Sequence, residues 1–274
     1  MSEGAENKEA GSALGRLTPL CLAGKVVRGA DRALTALTAT FLVVVLFFAC
    51  YALWDTWRIY DGASIDEDLL KYKPTLDNTE SLAELMKINP DVCAWLTIDG
   101  TNIDYPVVQG DDNFKYLNTD VRGDFSLSGS IFLDCRNARD FTDSYSLIYG
   151  HHMAGGAMFG ALDSFAEEGF FDEHTEGVLF LPDRALRIEV FAFMKTDAYD
   201  EQIFNPGDLQ GDEVEAFINR VKSDAMRFRD IGIDRSDRII ALSTCSEAET
   251  NGRSVLLGRL SEMGEDESEV KDGQ

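Results

Sequence analysis

The 274-residue sequence has no Cys-x-x-C pair, no Cys/His cluster with zinc spacing and no His-Glu-x-x-His helix. No metal is therefore expected, and no cofactor is assigned. Phosphate-cradling glycine loops of the P-loop and Rossmann kinds are missing as well, so nothing points to nucleotide chemistry. No internal repeat is visible. Positive charge is scarce: 25 Lys and Arg stand against 49 Asp and Glu, a net charge of −24. Residues 1–58 are close to neutral, with six basic and five acidic side chains, so the remainder holds 19 basic against 44 acidic. Such a surface repels phosphate backbones and argues against a nucleic-acid partner. Histidine is rarest, at positions 151, 152 and 174 alone.

What the sequence does contain begins with one long apolar run. Ala33 to Trp54 gives 22 consecutive uncharged positions, enough to cross a bilayer as a helix. Trp54, Trp57 and Tyr60 follow, where amphipathic rings favour the headgroup layer. Arg16, Lys25, Arg28 and Arg32 precede the run, and Asp55, Asp61, Asp66 and Glu67 come after it. The positive-inside rule puts the N-terminus in the cytoplasm and the large domain outside. Phe47-Phe48-Ala49-Cys50 faintly resembles a lipoprotein cleavage box, but two bulky aromatics precede the Ala-Cys pair. An uncleaved single-pass anchor through residues 33–54 is the expectation.

Beyond the anchor, short helices are expected over Asp66–Tyr72 and Ser81–Ile88, with Pro74 and Pro90 breaking the pattern. The character then turns to short strands: Val92–Ile98, Ile103–Val108, Ser130–Leu133, Ser146–Tyr149, Gly177–Leu181, Leu186–Met194, Arg238–Ser243 and Ser254–Leu260. Asp99-Gly100 marks a turn between the first two. Helical stretches are expected around Asp112–Leu117, Met158–Ala166 and Gly211–Arg229. About eight strands with intervening helices imply a closed or nearly closed barrel, a mainly β fold.

Five cysteines stand at 21, 50, 93, 135 and 245. Two lie in or before the apolar run, leaving an odd number in the main domain and so at least one free thiol. Cys245 ends the strand Ile239-Ile240-Ala241-Leu242-Ser243-Thr244, and Arg253 opens the next one. His151 follows Leu147-Ile148-Tyr149-Gly150 at the end of another strand. A thiol near its ordinary pKa of about 8.5 needs a base to become a nucleophile. A guanidinium stays charged and can hold an oxyanion. Acyl transfer needs these three functions, and the chain offers one residue for each.

Tyr149-Gly150-His151, Leu242-Ser243-Thr244-Cys245 and Arg253 together resemble the signature of the sortases, cell-wall transpeptidases of Gram-positive bacteria. The resemblance runs from about Met86 to Leu260 and includes Asp104-Tyr105-Pro106, Asp112-Asn113-Phe114-Lys115-Tyr116-Leu117 and Gly129-Ser130-Ile131-Phe132 in the family's order. The long 195–237 insertion resembles class B. The resemblance implies an eight-stranded sortase barrel with extra helices. Cys245 would be the nucleophile, His151 the acid/base and Arg253 the stabilising cation. Asn113, Leu117, Tyr149, Ile203, Ser243 and Thr244 would bind the signal peptide. Partners would be surface proteins with a C-terminal sorting signal of Asn-Pro-x-Thr type, cleaved after Thr, and an amine acceptor from a peptidoglycan precursor or a pilin lysine. The family often has asparagine where this chain has His152, so the doublet leaves a choice of base, for which His151 is favoured.

The resulting layout is a cytoplasmic segment at 1–32, an anchor at 33–54, a stalk with short helices at 55–90, a sortase catalytic domain at 91–261 and an acidic, disordered tail at 262–274. Two other readings stand beside it, a membrane-tethered sortase-like binding module and another wall cysteine transpeptidase of the L,D type.

Overall fold

Runs such as Val92-Cys93-Ala94-Trp95-Leu96 have no polar face, and a strand of that kind must be covered on both sides. The computed structural model describes residues 11–61, 67–76, 78–209, 211–245 and 251–263, with the backbone alone at 11–22, 58–61, 67, 208 and 245. The chain divides into two units between Trp57 and Arg58. The first is dominated by the helix Gly11–Asp61, in which Ala23–Trp57 is long and apolar enough to cross a membrane. The helix extends well beyond the 33–54 run at both ends.

The second unit contains β1 (Val92–Ile98), β2 (Asp104–Val108), β3 (Ile131–Leu133), β4 (Tyr145–Tyr149), β5 (Glu176–Phe180), β6 (Ala185–Asp197), β7 (Arg227–Phe228), β8 (Arg238–Cys245) and β9 (Gly252–Glu262). They pair in the order β5-β1-β2-β3-β4-β8-β9-β6, and β6 returns to β5 to close an eight-stranded mixed barrel. The short β7 pairs outside the ring with β6. Two pairings are parallel, β2 with β3 and β4 with β8; the others are antiparallel. The expected barrel is thus the observed one.

One apolar cluster fills the barrel with Leu96, Ile148, Ile188, Leu242 and Leu256, plugged by Leu162 and Phe165 from the 3-10 helix Gly160–Ala166. Two clusters coat the outside. One places Val214, Phe217, Ile218 and Val221 of the helix Asp212–Asp224 over β4, β8 and β9. The other seats Leu82 and Leu85 of the helix Glu80–Ile88 beside Trp95 and Val92. A register shift between Val92 and Ala94 lets Cys93 and Ala94 both face the barrel interior cluster while Val92 and Trp95 join the outer one.

Several local expectations need correction. The helix expected to Arg229 stops at Asp224, because Ala225 is extended and Arg227 and Phe228 pair with Phe193 and Ala192 of β6. Only Lys115–Leu117 of the 112–117 stretch is helical, and as a 3-10 turn. The 158–166 helix begins later, at Gly160, because Met158 has a positive φ of 51°. Short helices Glu168–Glu173 and Glu201–Phe204 had no signal strong enough to read. His174 stacks on Phe170 and contacts the Gly100 carbonyl, pinning the β1–β2 turn. Of the tail, residues 264–274 lie outside the described residues.

Candidate active site

Parallel pairing of β4 with β8 brings two distant segments to the same rim of the barrel. Tyr149 is opposite Ser243, and the Gly150 N–H donates to the Ser243 carbonyl at 3.1 Å. His151 and Cys245 each follow two residues past that matched pair. The antiparallel partner β9 then sets Arg253 directly opposite Cys245. Neighbouring strands lie about 4.8 Å apart, so backbone register alone gathers the three candidate residues at one end of the sheet. At Cys245 the backbone alone is described.

His151 is half-buried and donates from Nε2 to the Leu117 carbonyl at 2.8 Å. A carbonyl only accepts, so Nε2 carries the hydrogen and neutral imidazole keeps its lone pair on Nδ1. The bond fixes the ring's orientation against the 3-10 turn Lys115–Leu117. His152, the other member of the doublet, faces Asp163 instead, with Nε2 and Oδ2 3.1 Å apart. Arg253 donates from Nη1 to the Gly252 carbonyl, and among the described residues no carboxylate lies within ion-pair range of it.

Gly150 has a steric reason. A Cβ at this position would sit 2.5 Å from Ile131 Cδ1 and 2.7 Å from the Phe159 ring. Phe159 is fully buried and cannot swing away. We expect Gly150→Ala to destabilise the barrel by about 1–3 kcal/mol through overpacking. Thermal unfolding would measure the loss, and an unchanged melting temperature would refute the close fit.

Of the six residues expected to bind the signal peptide, Asn113, Leu117 and Tyr149 are half-buried, whereas Ile203, Ser243 and Thr244 are buried. Asn113 and Tyr149 meet at Asp134, a carboxylate that sequence reading passed over. Its Oδ2 accepts from Asn113 Nδ2 at 2.9 Å, from the Tyr149 hydroxyl at 3.0 Å and from Arg136 Nη2 at 2.7 Å. Arg136 also reaches Asn205 Oδ1 and the Phe204 carbonyl, tying the 201–205 segment to the same hub. Burial alone would raise the Asp134 pKa, but the Arg136 and Asn113 hydrogen bonds hold it below the ordinary carboxylate value. Burial, and then the Asp134 charge, push the Tyr149 phenol up. Asn113 Oδ1 is also engaged, accepting from the Cys135 N–H. Ile203 packs with Phe217 and Val214, and its carbonyl accepts from the buried Tyr145 hydroxyl. The Ser243 and Thr244 hydroxyls have no hydrogen-bond partner among the described residues.

No protein-family model matches the chain. Individual relatives do. The chain is 34% identical over 185 residues to sortase B of Listeria monocytogenes, spanning 66% of this chain and 74% of that protein. The chain belongs to the class B sortases. Among solved structures, it is similar to a Streptococcus pyogenes class B sortase involved in pilus biogenesis, with 44% identity and a TM-score of 0.61. That match covers 66% of this chain and 97% of the other. It is also similar to the sortase B of a Staphylococcus aureus sortase B–substrate complex, with 28% identity and a TM-score of 0.64 over 72% of this chain and 94% of that one. Membership makes this sortase a cysteine transpeptidase and sets aside the L,D-transpeptidase reading.

Proposed function

We propose that this sortase uses Cys245, His151 and Arg253 to cleave a sorting signal after threonine and transfer the new acyl end to an amine. The observation that carries the assignment is the register: β8 lies between β4 and β9, so positions 151, 245 and 253 share one rim. The Cys245 thiolate attacks the threonine carbonyl carbon, forming a C–S bond while Arg253 stabilises the oxyanion. As the tetrahedral intermediate collapses, the scissile C–N bond breaks and His151, protonated at Nδ1, gives its proton to the leaving amine. In the second half the acceptor amine attacks the thioester and His151 takes its proton. A new C–N bond forms, and the thiolate leaves.

Leu117, Tyr149 and Asn113 shape the signal groove in this reading, with Ile203, Ser243 and Thr244 beneath it as supporting floor. Residues 33–54 anchor the enzyme with the N-terminus inside and the 91–261 domain outside, where surface proteins are joined to the wall. The acceptor is a peptidoglycan-precursor amine or a pilin lysine. The 44% identity to a class B sortase of pilus biogenesis favours the lysine.

The test is to incubate the full chain in detergent with quenched Asn-Pro-x-Thr and Leu-Pro-x-Thr-Gly peptides, with and without lysine-bearing or oligoglycine acceptors. Cleavage after threonine, an acyl adduct on Cys245 by mass spectrometry and an amide product are expected. A chain that binds peptides without cleaving any of them is a binding module, and the proposal fails.

A further inference from the structure

Asp163 sits in the 3-10 helix Gly160–Ala166, outside the three residues proposed for the chemistry, and its two oxygens point to two different strand ends. Oδ2 faces Nε2 of His152, the residue after His151. Oδ1 accepts from the hydroxyl of Ser254, the residue after Arg253. Ser254 is in turn the register partner of Thr244, the residue before Cys245. One carboxylate thus grips the chain a single residue away from two of the proposed catalytic positions, and its Ser254 contact pairs across the sheet with the neighbour of the third.

The grip comes from the barrel side. Side chains alternate along a strand. Val255 belongs to the outer cluster under the helix Asp212–Asp224, and Leu256 to the barrel interior. Ser254 shares the parity of Leu256, and Arg253 that of Val255. Ser254 is fully buried, and the His152 and Asp163 side chains are 13% and 26% exposed. The platform that carries Asp163 is firmly seated. Leu162 and Phe165 on either side of it are buried in the barrel. The Phe159 N–H donates to the His151 carbonyl at 3.0 Å, and His152 bridges to Met158. Gly160 lies so close to Met153 that a Cβ would stand 2.1 Å from the Met153 carbonyl oxygen.

We propose that Asp163 is a positioning residue that locks the His151 loop to the Arg253 strand from beneath the site. The inference rests on the proposed roles of Cys245, His151 and Arg253. A charge-assisted hydrogen bond at one oxygen and a hydroxyl at the other give two fixed directions, which is what a loop histidine and a strand-end arginine need to keep a shared geometry. Misplacement by about 1 Å can cost a hundredfold in rate. The second histidine of the doublet therefore holds the first in place, and the choice between them follows from their partners.

The experiment measures sorting-peptide cleavage by the full chain carrying Asp163→Ala, His152→Ala, Ser254→Ala and the Asp163→Ala/His152→Ala pair. Asp163→Ala should lower kcat by about tenfold or more with KM within about twofold, since the groove is untouched. The double variant should lie within about twofold of Asp163→Ala, because both changes cut the same contact. A wild-type kcat in Asp163→Ala, a loss confined to KM, or fully additive losses would overturn the proposal. If circular dichroism shows Asp163→Ala unfolded, the milder His152→Ala and Ser254→Ala decide it, and wild-type kcat in both overturns it. A wild type that cleaves nothing, or an active Cys245→Ala, brings down the catalytic reading itself. An active wild type with a dead Cys245→Ala and a fully active Asp163→Ala brings down this inference alone.

Discussion

Cys245→Ala is expected to lower kcat/KM for sorting-peptide cleavage by about ten-thousandfold or more, while the melting temperature moves by less than about 3 °C. The size follows from the chemistry. Without the thiolate no thioester forms, and the covalent step is lost. Position 245 is the last residue of β8, at the end of the strand rather than in its middle. Alkylation gives an independent check on which thiol matters. Cys93 is buried in the barrel interior, and burial pushes its thiol up to about 12, so it stays protonated at neutral pH. Iodoacetamide at pH 7 should inactivate the enzyme in step with labelling of Cys245 and leave Cys93 unmodified. Inactivation that instead tracked the half-buried Cys135 would sink the assignment.

Asp134→Asn is the second large effect, and it acts on stability. The wild-type carboxylate has no exposed surface and serves Asn113, Tyr149 and Arg136 at once. Breaking a buried charge pair costs about 3–5 kcal/mol, and the lower end applies here because the Arg136 side chain is 40% exposed and can rehydrate. The folded pKa lies below the ordinary carboxylate value, so this stabilisation is in place above about pH 4. It is lost as pH falls through the lower folded value. The wild type and Asp134→Asn should therefore differ by about 3 kcal/mol in urea unfolding at pH 7 and converge in stronger acid. A gap that stayed constant down to pH 2 would show that the charge is not what stabilises the hub.

The barrel was legible because its strands are apolar on both faces: Val92–Ile98 and Arg238–Ser243 can be read from composition alone. The ends were not. β6 runs on through Lys195, Thr196 and Asp197 because β9 supplies partners as far as Gly252, and pairing across the sheet leaves no mark on local composition. Arg227-Phe228 reads as helix in isolation, yet the waiting edge of β6 makes it a strand. The candidate chemistry showed in Cys245, His151 and Arg253 because strand ends followed by rare residue types stand out. Asp134 and Asp163 did not stand out among 49 acidic residues. Each becomes distinctive only through contacts with residues such as Tyr149 and Ser254, fifteen and ninety-one positions away.

The parallel seating of β8 against β4 also imposes an order in time. Ribosomes add about 5–20 residues per second, so the strand bearing Cys245 emerges several seconds after the strand leading to His151. Until then the edge of β4 waits without its neighbour. The thiol's own flanking partner, β9, is made last of all the strands. In the proposed assignment, a chain interrupted anywhere before Arg253 holds the base without the cation, and before Cys245 without the nucleophile. Under the proposed roles, an unfinished copy of this sortase is an inert one.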